Sequence, residues 1–313
     1  ATHTYTSAGL YMARMAVLDA QGNVSYAERQ VAVVAQAADL CIVTDTSDTN
    51  DLGGAPTTCT GSPGPNGLLS LNEAVAITNA RAGKQVITFV GPATYSGTNP
   101  SRSRLTISQD LDVIGAPGVA ISSFFLDVTA GTTRVANLDF TNERQAHKAG
   151  PGTLVFQHTY LHGTKGVSVT GALQIQRSLF TGCPSTGCAQ LMGGALTVVG
   201  SEFRASPKGL ALTSCGAANV EVRSSVFSGN TSAIENTCGA TLLARNNTFA
   251  GNGTAITLVG GTGHVLRNNI FTSNTNSAVS CGSAMFSTRD FHVLFGNASN
   301  GCLDGDPDSL TVD

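Results

Sequence analysis

The sequence predicts an all-β chain whose larger part is a parallel β-solenoid with coils of about 22 residues. Three observations predict it. A large apolar residue recurs at Phe140, Leu161, Phe180, Phe203, Phe227, Phe249 and Phe271, at spacings of 21, 19, 23, 24, 22 and 22 residues. The octapeptides ending at three of these anchors, VEVRSSVF, LLARNNTF and HVLRNNIF, are near copies, and LQIQRSLF is a looser one. Two residues before six of the anchors stands a small polar residue: Thr159, Ser178, Ser201, Ser225, Asn247 and Asn269. Such side chains can hydrogen-bond to their neighbours above and below, and an inward polar column without partners would be costly. One coil cannot bury its own apolar face, so coils must stack at about 4.8 Å to share a core. A leucine-rich repeat lacks its frame here, and a propeller needs about 40 residues per blade.

Composition narrows the class further. The chain has 313 residues, a net charge of −3, 12% charged residues, 36 glycines and no tryptophan. That charge share is about half of the usual 25%. A highly charged disordered chain is excluded, a nucleic-acid binder acting by bulk charge is disfavoured, and no apolar run approaches the ~20 residues of a membrane span.

Taken in order, residues 1–35 read as strands alternating around a Gln21-Gly22-Asn23 turn. Residues 36–69 form a loop-rich joint with an acidic run, in which Asp45, Asp48 and Asp51 offer oxygen ligands at intervals that suit Ca²⁺. The full twelve-residue calcium loop is absent, and a solvated turn is the competing reading. The only cofactor expectation is therefore Ca²⁺ or none. Residues 70–313 carry the solenoid. It opens with a helix over 71–82: Ser70 and Glu73 form a capping box, Gly83 suits the position after the last turn, and Leu71, Ala74, Val75 and Ile77 share a face. The strand Gln85–Phe89 follows. A second short strand recurs seven or eight residues after an anchor, at Ala233-Ile234, Ala255-Ile256 and Ala278-Val279.

Two resemblances refine this outline. His3, Tyr5, Gly9, Tyr11, Asp19, Gly22 and Asn23 match the closing strands of PKD-type immunoglobulin-like domains. The coils resemble the right-handed parallel β-helix superfamily that includes pectate lyase-like proteins. The segment GLLSLNEAVAITNARAGKQVITF resembles the CSLREA segment of secreted bacterial β-helix proteins, through Ser70-Leu71, Glu73-Ala74-Val75 and Ile87-Thr88-Phe89. Leu69 stands for the family cysteine and Asn72 for its arginine. Asp306, Pro307, Val312 and Asp313 match a late-coil segment after which the helix continues in that family, which predicts a truncated C-terminus. No leader opens the chain, which predicts a processed start. The resemblance implies a bacterial protein at the cell surface or outside the cell, with the helix lidding the first coil.

Eight cysteines, Cys41, Cys59, Cys183, Cys188, Cys215, Cys238, Cys281 and Cys302, lack zinc spacing and fall into sequential pairs. Pairing 41–59, 183–188, 215–238 and 281–302 gives four disulfides and an oxidising compartment. Buried thiols are the alternative.

Two constellations carry candidate chemistry. Residues 143–177 gather Glu143, Arg144, His147, Lys148, His158, His162, Lys165 and Arg177. A polysaccharide lyase needs a base and a cation to neutralise the substrate carboxylate, and His158, His162, Lys165 and Arg177 are its candidates. A solvated polar face is the plainer reading. Arg223, Arg245 and Arg267 form a column four before the anchors, extended by Gln157 and Gln176. Stacked guanidiniums repel unless an anion lies across them, and arginine suits bidentate carboxylate or sulfate contacts. Glu202, Glu221 and Glu235 are the local alternatives as counter-charges. Tyr95 and Tyr160 are the free aromatic candidates. The leading function is a non-catalytic extracellular surface, matrix or adhesive module that binds acidic polysaccharide or a neighbouring surface protein. The alternatives are a polysaccharide lyase and a self-assembling fibre or sheath subunit.

Overall fold

The structure, a computed structural model, describes residues 9–18, 24–33, 40–47, 58–59, 66–97, 104–141, 147–163, 166–183, 187–214 and 218–312. The first two strands, β1 (Gly9–Leu18) and β2 (Val24–Val33), form an antiparallel pair that joins no other sheet among the described residues. The motif residues His3, Tyr5, Asp19, Gly22 and Asn23 lie outside the described residues.

Everything after them is coil upon coil. Three parallel sheets of 11, 11 and 9 strands run along the molecule, and each complete coil gives one strand to each sheet. The first sheet begins with β3 (Leu40–Val43), which pairs with β4 (Gln85–Phe89). The solenoid therefore starts inside the segment read as a joint. Alternation explains why: Cys41 and Val43 are buried while Ile42 faces out, so this short run fills the first coil's interior.

The helix α1 (Leu71–Asn79) has the capping box, with the Ser70 side chain accepting from the Glu73 N–H and the Glu73 carboxylate accepting from the Ser70 N–H. Leu71, Ala74, Val75 and Ile77 are buried, and α1 packs on β3, β4 and the strand Arg104–Ile107. It ends three residues short of the expected residue 82. The last turn tightens, with Ala80 N–H donating to Ile77 O and Arg81 N–H to Thr78 O. Asn79 is then held by the third sheet, donating to Thr106 O at 2.7 Å and accepting from Ser108 N–H at 3.0 Å.

All seven anchors occupy the middle of second-sheet strands, and each pairs with the next across one coil, from Phe140 opposite Leu161 to Phe249 opposite Phe271. None is more than 1% exposed. Successive rings from Phe180 to Phe271 stack at 5.0–5.1 Å between centroids. The first sheet supplies a second inward file, Phe156, Ile175, Val198, Val222, Ala244 and Leu266, and the third sheet supplies Leu210, Ile234, Ile256 and Val279. Burying each large side chain contributes roughly 1.5–3 kcal/mol.

The polar column is a hydrogen-bonded ladder. Backbone N–H groups of Thr159, Ser178, Ser201, Ser225 and Asn247 donate to the side-chain oxygens of Ser178, Ser201, Ser225, Asn247 and Asn269 at 3.0–3.2 Å. A second ladder, three residues after the anchors, runs through Cys183, Ser206, Asn230, Asn252, Asn274 and Asn297 by the same scheme at 3.0–3.2 Å. Asn230 and Asn252 close the Ser-Gly-Asn and Ala-Gly-Asn segments that follow Phe227 and Phe249.

Disulfides join Cys41 to Cys59, Cys183 to Cys188 and Cys281 to Cys302. Cys238 is also disulfide-bonded; Cys215, the partner expected for it, lies outside the described residues. Tyr95 is no surface platform. It is 1% exposed, its hydroxyl donates to Val90 O at 3.0 Å, and burial pushes its phenol up. No helix among the described residues is long and apolar enough to cross a membrane.

The ladder makes a direct prediction. Asn247 accepts from Ser225 N–H and donates to Val222 O and Asn269 Oδ1. Replacing it with leucine removes the side-chain partners of the buried Ser225 N–H and Val222 carbonyl at about 1–3 kcal/mol each, while Asn269 Oδ1 keeps the Asn247 N–H. Asn247→Leu is expected to lose at least about 2 kcal/mol in urea unfolding, and a variant as stable as the parent contradicts the ladder.

Candidate functional site

The turn between the first and second sheets carries both candidate constellations. In every coil from residue 137 onward it passes through one residue of left-handed backbone: Asn137, His158, Arg177, Gly200, Ser224, Asn246, Asn268 and Phe291, with φ between 47° and 60°. Most L-residues lose about 1–2 kcal/mol in that region, and asparagine and glycine are the usual occupants. His158 and Arg177 hold it on two adjacent coils, at φ 49° and 47°. Backbone strain of this kind gathers at functional positions.

Around these two residues the surface forms an open depression of about 380 Å³. His158, Tyr160, Arg177, Leu179, Gly200 and Glu202 line it, with the ladder residues Thr159 and Ser178 at its base. Tyr160, Leu179 and Glu202 stand side by side on three coils of the second sheet. Gly200 keeps the wall low beside Arg177, whose Cγ would lie 3.6 Å from an added Cβ. Glu202 faces Arg204 at 3.6 Å. Among the described residues, no ion pair engages the Arg177 guanidinium.

The arginine column lies one residue away on the same turn. Arg223, Arg245 and Arg267 pair in register, one per coil. Val199 precedes them in the column and Asp290 closes it. Arg223 Nε is 3.5 Å from Glu221, and Arg267 Nε is 3.3 Å from Asp290 with its guanidinium 5.3 Å from the Phe291 ring centre. Among the described residues Arg245 has no ion pair. Because Gln157-His158 and Gln176-Arg177 are neighbours in the chain, the depression and the column form one strip. It crosses six coils, about 24 Å at the usual strand spacing.

The other expected residues fall elsewhere. His162 sits on the outer face of the second sheet, with Nδ1 3.3 Å from the Tyr160 hydroxyl, and does not line the depression. Lys165, Glu143 and Arg144 lie outside the described residues. His147 is fully buried and accepts from Leu126 N–H at 3.0 Å, so it belongs to the interior rather than to a polar face. Glu235 pairs with Lys208 at 2.8 Å on the third sheet, away from the arginine column. Asp45 is 9% exposed, and its carboxylate accepts from Ser47 N–H, Ser47 Oγ and Asn66 Nδ2, which ties it into a turn. Asp48 and Asp51 lie outside the described residues, and among those described no group of three His, Cys, Asp or Glu could hold a metal. The left-handed turn and the closing Asp290 were missed in the sequence, and Glu202, expected as a counter-charge to the arginine column, lines the depression beside Arg204. Only the recurrence of Asn and Ser three before the anchors hinted at the turn.

The family described as right handed beta helix region matches residues 128–276. Coil pairing and this match define the fold as a right-handed parallel β-helix. Comparison with curated proteins and with solved structures finds no match.

The strained turn yields a test that separates stability from function. Arg177→Asn puts a residue suited to left-handed backbone in place and is expected to gain about 1 kcal/mol, read as a higher urea midpoint. A lower midpoint contradicts strain at this position.

Proposed function

We propose that the chain is a non-catalytic extracellular β-helix module that holds an acidic polysaccharide along the strip from His158 to Arg267. The observation that carries this reading is the register of Arg223, Arg245 and Arg267, one guanidinium per coil, with Arg245 lacking an ion pair among the described residues. Charges about 4 Å apart repel by about 1 kcal/mol per pair even in bulk water. A linear polyanion laid along the axis meets one guanidinium per coil and offsets that repulsion. Arginine can take each carboxylate or sulfate through two parallel hydrogen bonds. The disulfides favour an oxidising compartment. In this reading α1 covers the apolar end of the first coil, and the β1–β2 pair belongs to a PKD-like flank.

A second reading, an acidic-polysaccharide lyase, draws on one observation: His158 and Arg177 share a depression with Tyr160 in a strained turn. Arg177 would neutralise the substrate carboxylate and His158 would sit beside the proton to be removed.

Binding to immobilised polygalacturonate and to sulfated glycans tests the first reading. Exposed ion pairs contribute about 0.5–1 kcal/mol each, so Arg245→Ala should weaken binding about two- to fivefold. The triple change of Arg223, Arg245 and Arg267 to alanine should weaken it at least about tenfold, and rising salt should weaken the parent. Binding unaffected by the triple variant overturns the strip. An ultraviolet-absorbing unsaturated product during incubation, lost in Arg177→Ala, moves the assignment to the lyase.

A further inference from the structure

Three histidines are buried among the described residues, and all three are used in the same way. Each Nδ1 accepts a backbone N–H from the coil beneath: Leu126 to His147 at 3.0 Å, Leu242 to His264 at 3.2 Å and Asn269 to His292 at 3.3 Å. His292 has a special place among them. It stands two residues before the buried Leu294, in the column of Ser225, Asn247 and Asn269, and its own N–H passes the ladder on to Ser309 Oγ at 3.3 Å. Every earlier rung accepts through a hydroxyl or amide oxygen, which does not titrate near neutral pH. His292 is thus the one titratable rung of this ladder, between Asn269 and Ser309.

We infer that His292 is an acid-sensitive clasp on the terminal coil. A proton arriving at Nδ1 converts the acceptor into a donor that faces the Asn269 N–H, so the rung cannot form. The elements held above that rung are the strand Val293–Phe295 and the strand Leu310–Val312 paired with it. The ring is 1% exposed and packs edge-on to Phe271, with centroids 5.6 Å apart. Among the described residues no hydrogen-bond partner meets its Nε2. Desolvation holds the imidazole below its ordinary value of 6.5. The charged groups facing it, Asp306 in the following turn and Asp290 at the end of the preceding first-sheet strand, favour the proton, as does the nearby Leu266 carbonyl, and burial outweighs them. From the coil beneath it meets Asn269 and Phe271, which carry no charge.

The sign follows from linkage. The fold prefers the neutral ring, so an opened terminal coil binds more protons once the pH drops below about 6.5. The rung's contribution is complete above that pH and is lost as the pH falls towards the depressed value of the folded state.

Hydrogen exchange of the Asn269 amide and of Val293–Phe295, followed from about pH 7.5 to about 5.5 and corrected for intrinsic exchange, reads this directly. Protection in the parent is expected to fall by up to about tenfold per pH unit below the ordinary histidine value. His292→Asn keeps an oxygen acceptor in the rung and should hold its protection across the range, while Asp290 and Asp306 remain in place. Parent protection that does not change with pH overturns the clasp, and so does an equal fall in His292→Asn. If that variant does not fold, nitrogen NMR of the parent decides. A bare Nδ1 at neutral pH that gains its proton as Asn269 protection is lost supports the clasp; an Nδ1 already protonated there overturns it.

Discussion

Strand pairing holds neighbouring coils about 4.8 Å apart, and the rest of the molecule depends on that spacing. At this distance only like side chains can lie over like without voids or clashes. Phenylalanine therefore sits on phenylalanine from Phe180 to Phe271, with interplanar angles between 6° and 16°. The same spacing lets a serine or asparagine oxygen reach the N–H one coil below, which satisfies backbone groups that each turn would otherwise bury unpaired. Apolar stacking supplies the driving force, and the two ladders fix which residue lies over which.

A column that stacks apolar groups inside also stacks whatever points out. Arg223, Arg245 and Arg267 are brought into register by the pairing of Val222, Ala244 and Leu266 beside them. The protein offsets the repulsion at both ends of the column, through Glu221 and Asp290, and leaves the middle without a protein counter-charge among the described residues. His158 and Arg177 show a related tension. Their coils keep the left-handed turn of the others while giving up the residues that suit it.

Periodic features were legible in the sequence and singular ones were not. The anchors, the first ladder and the arginine column repeat at nearly constant spacing, so their stacking followed from arithmetic. The second ladder stayed hidden because Asn230 and Asn252 stand in Ser-Gly-Asn and Ala-Gly-Asn turns, where asparagine has a local explanation. Leu40–Val43 was lost because four residues of strand amid loops give no period. The helix ended early because Asn79 is captured by Thr106 and Ser108, some thirty residues on. His147 was counted as a surface group because sequence proximity to Lys148 and Arg144 says nothing about which face a residue takes.

Contacts between the stacked phenylalanine rings, measured by nuclear Overhauser spectroscopy on selectively labelled protein, test the central claim most directly. Stacked coils predict that the Phe227 ring contacts Phe203 and Phe249 and not Phe180 or Phe271, with the same nearest-neighbour order along the series. Rings that contact out of order, or that meet solvent and not one another, contradict the solenoid and the strip built on it.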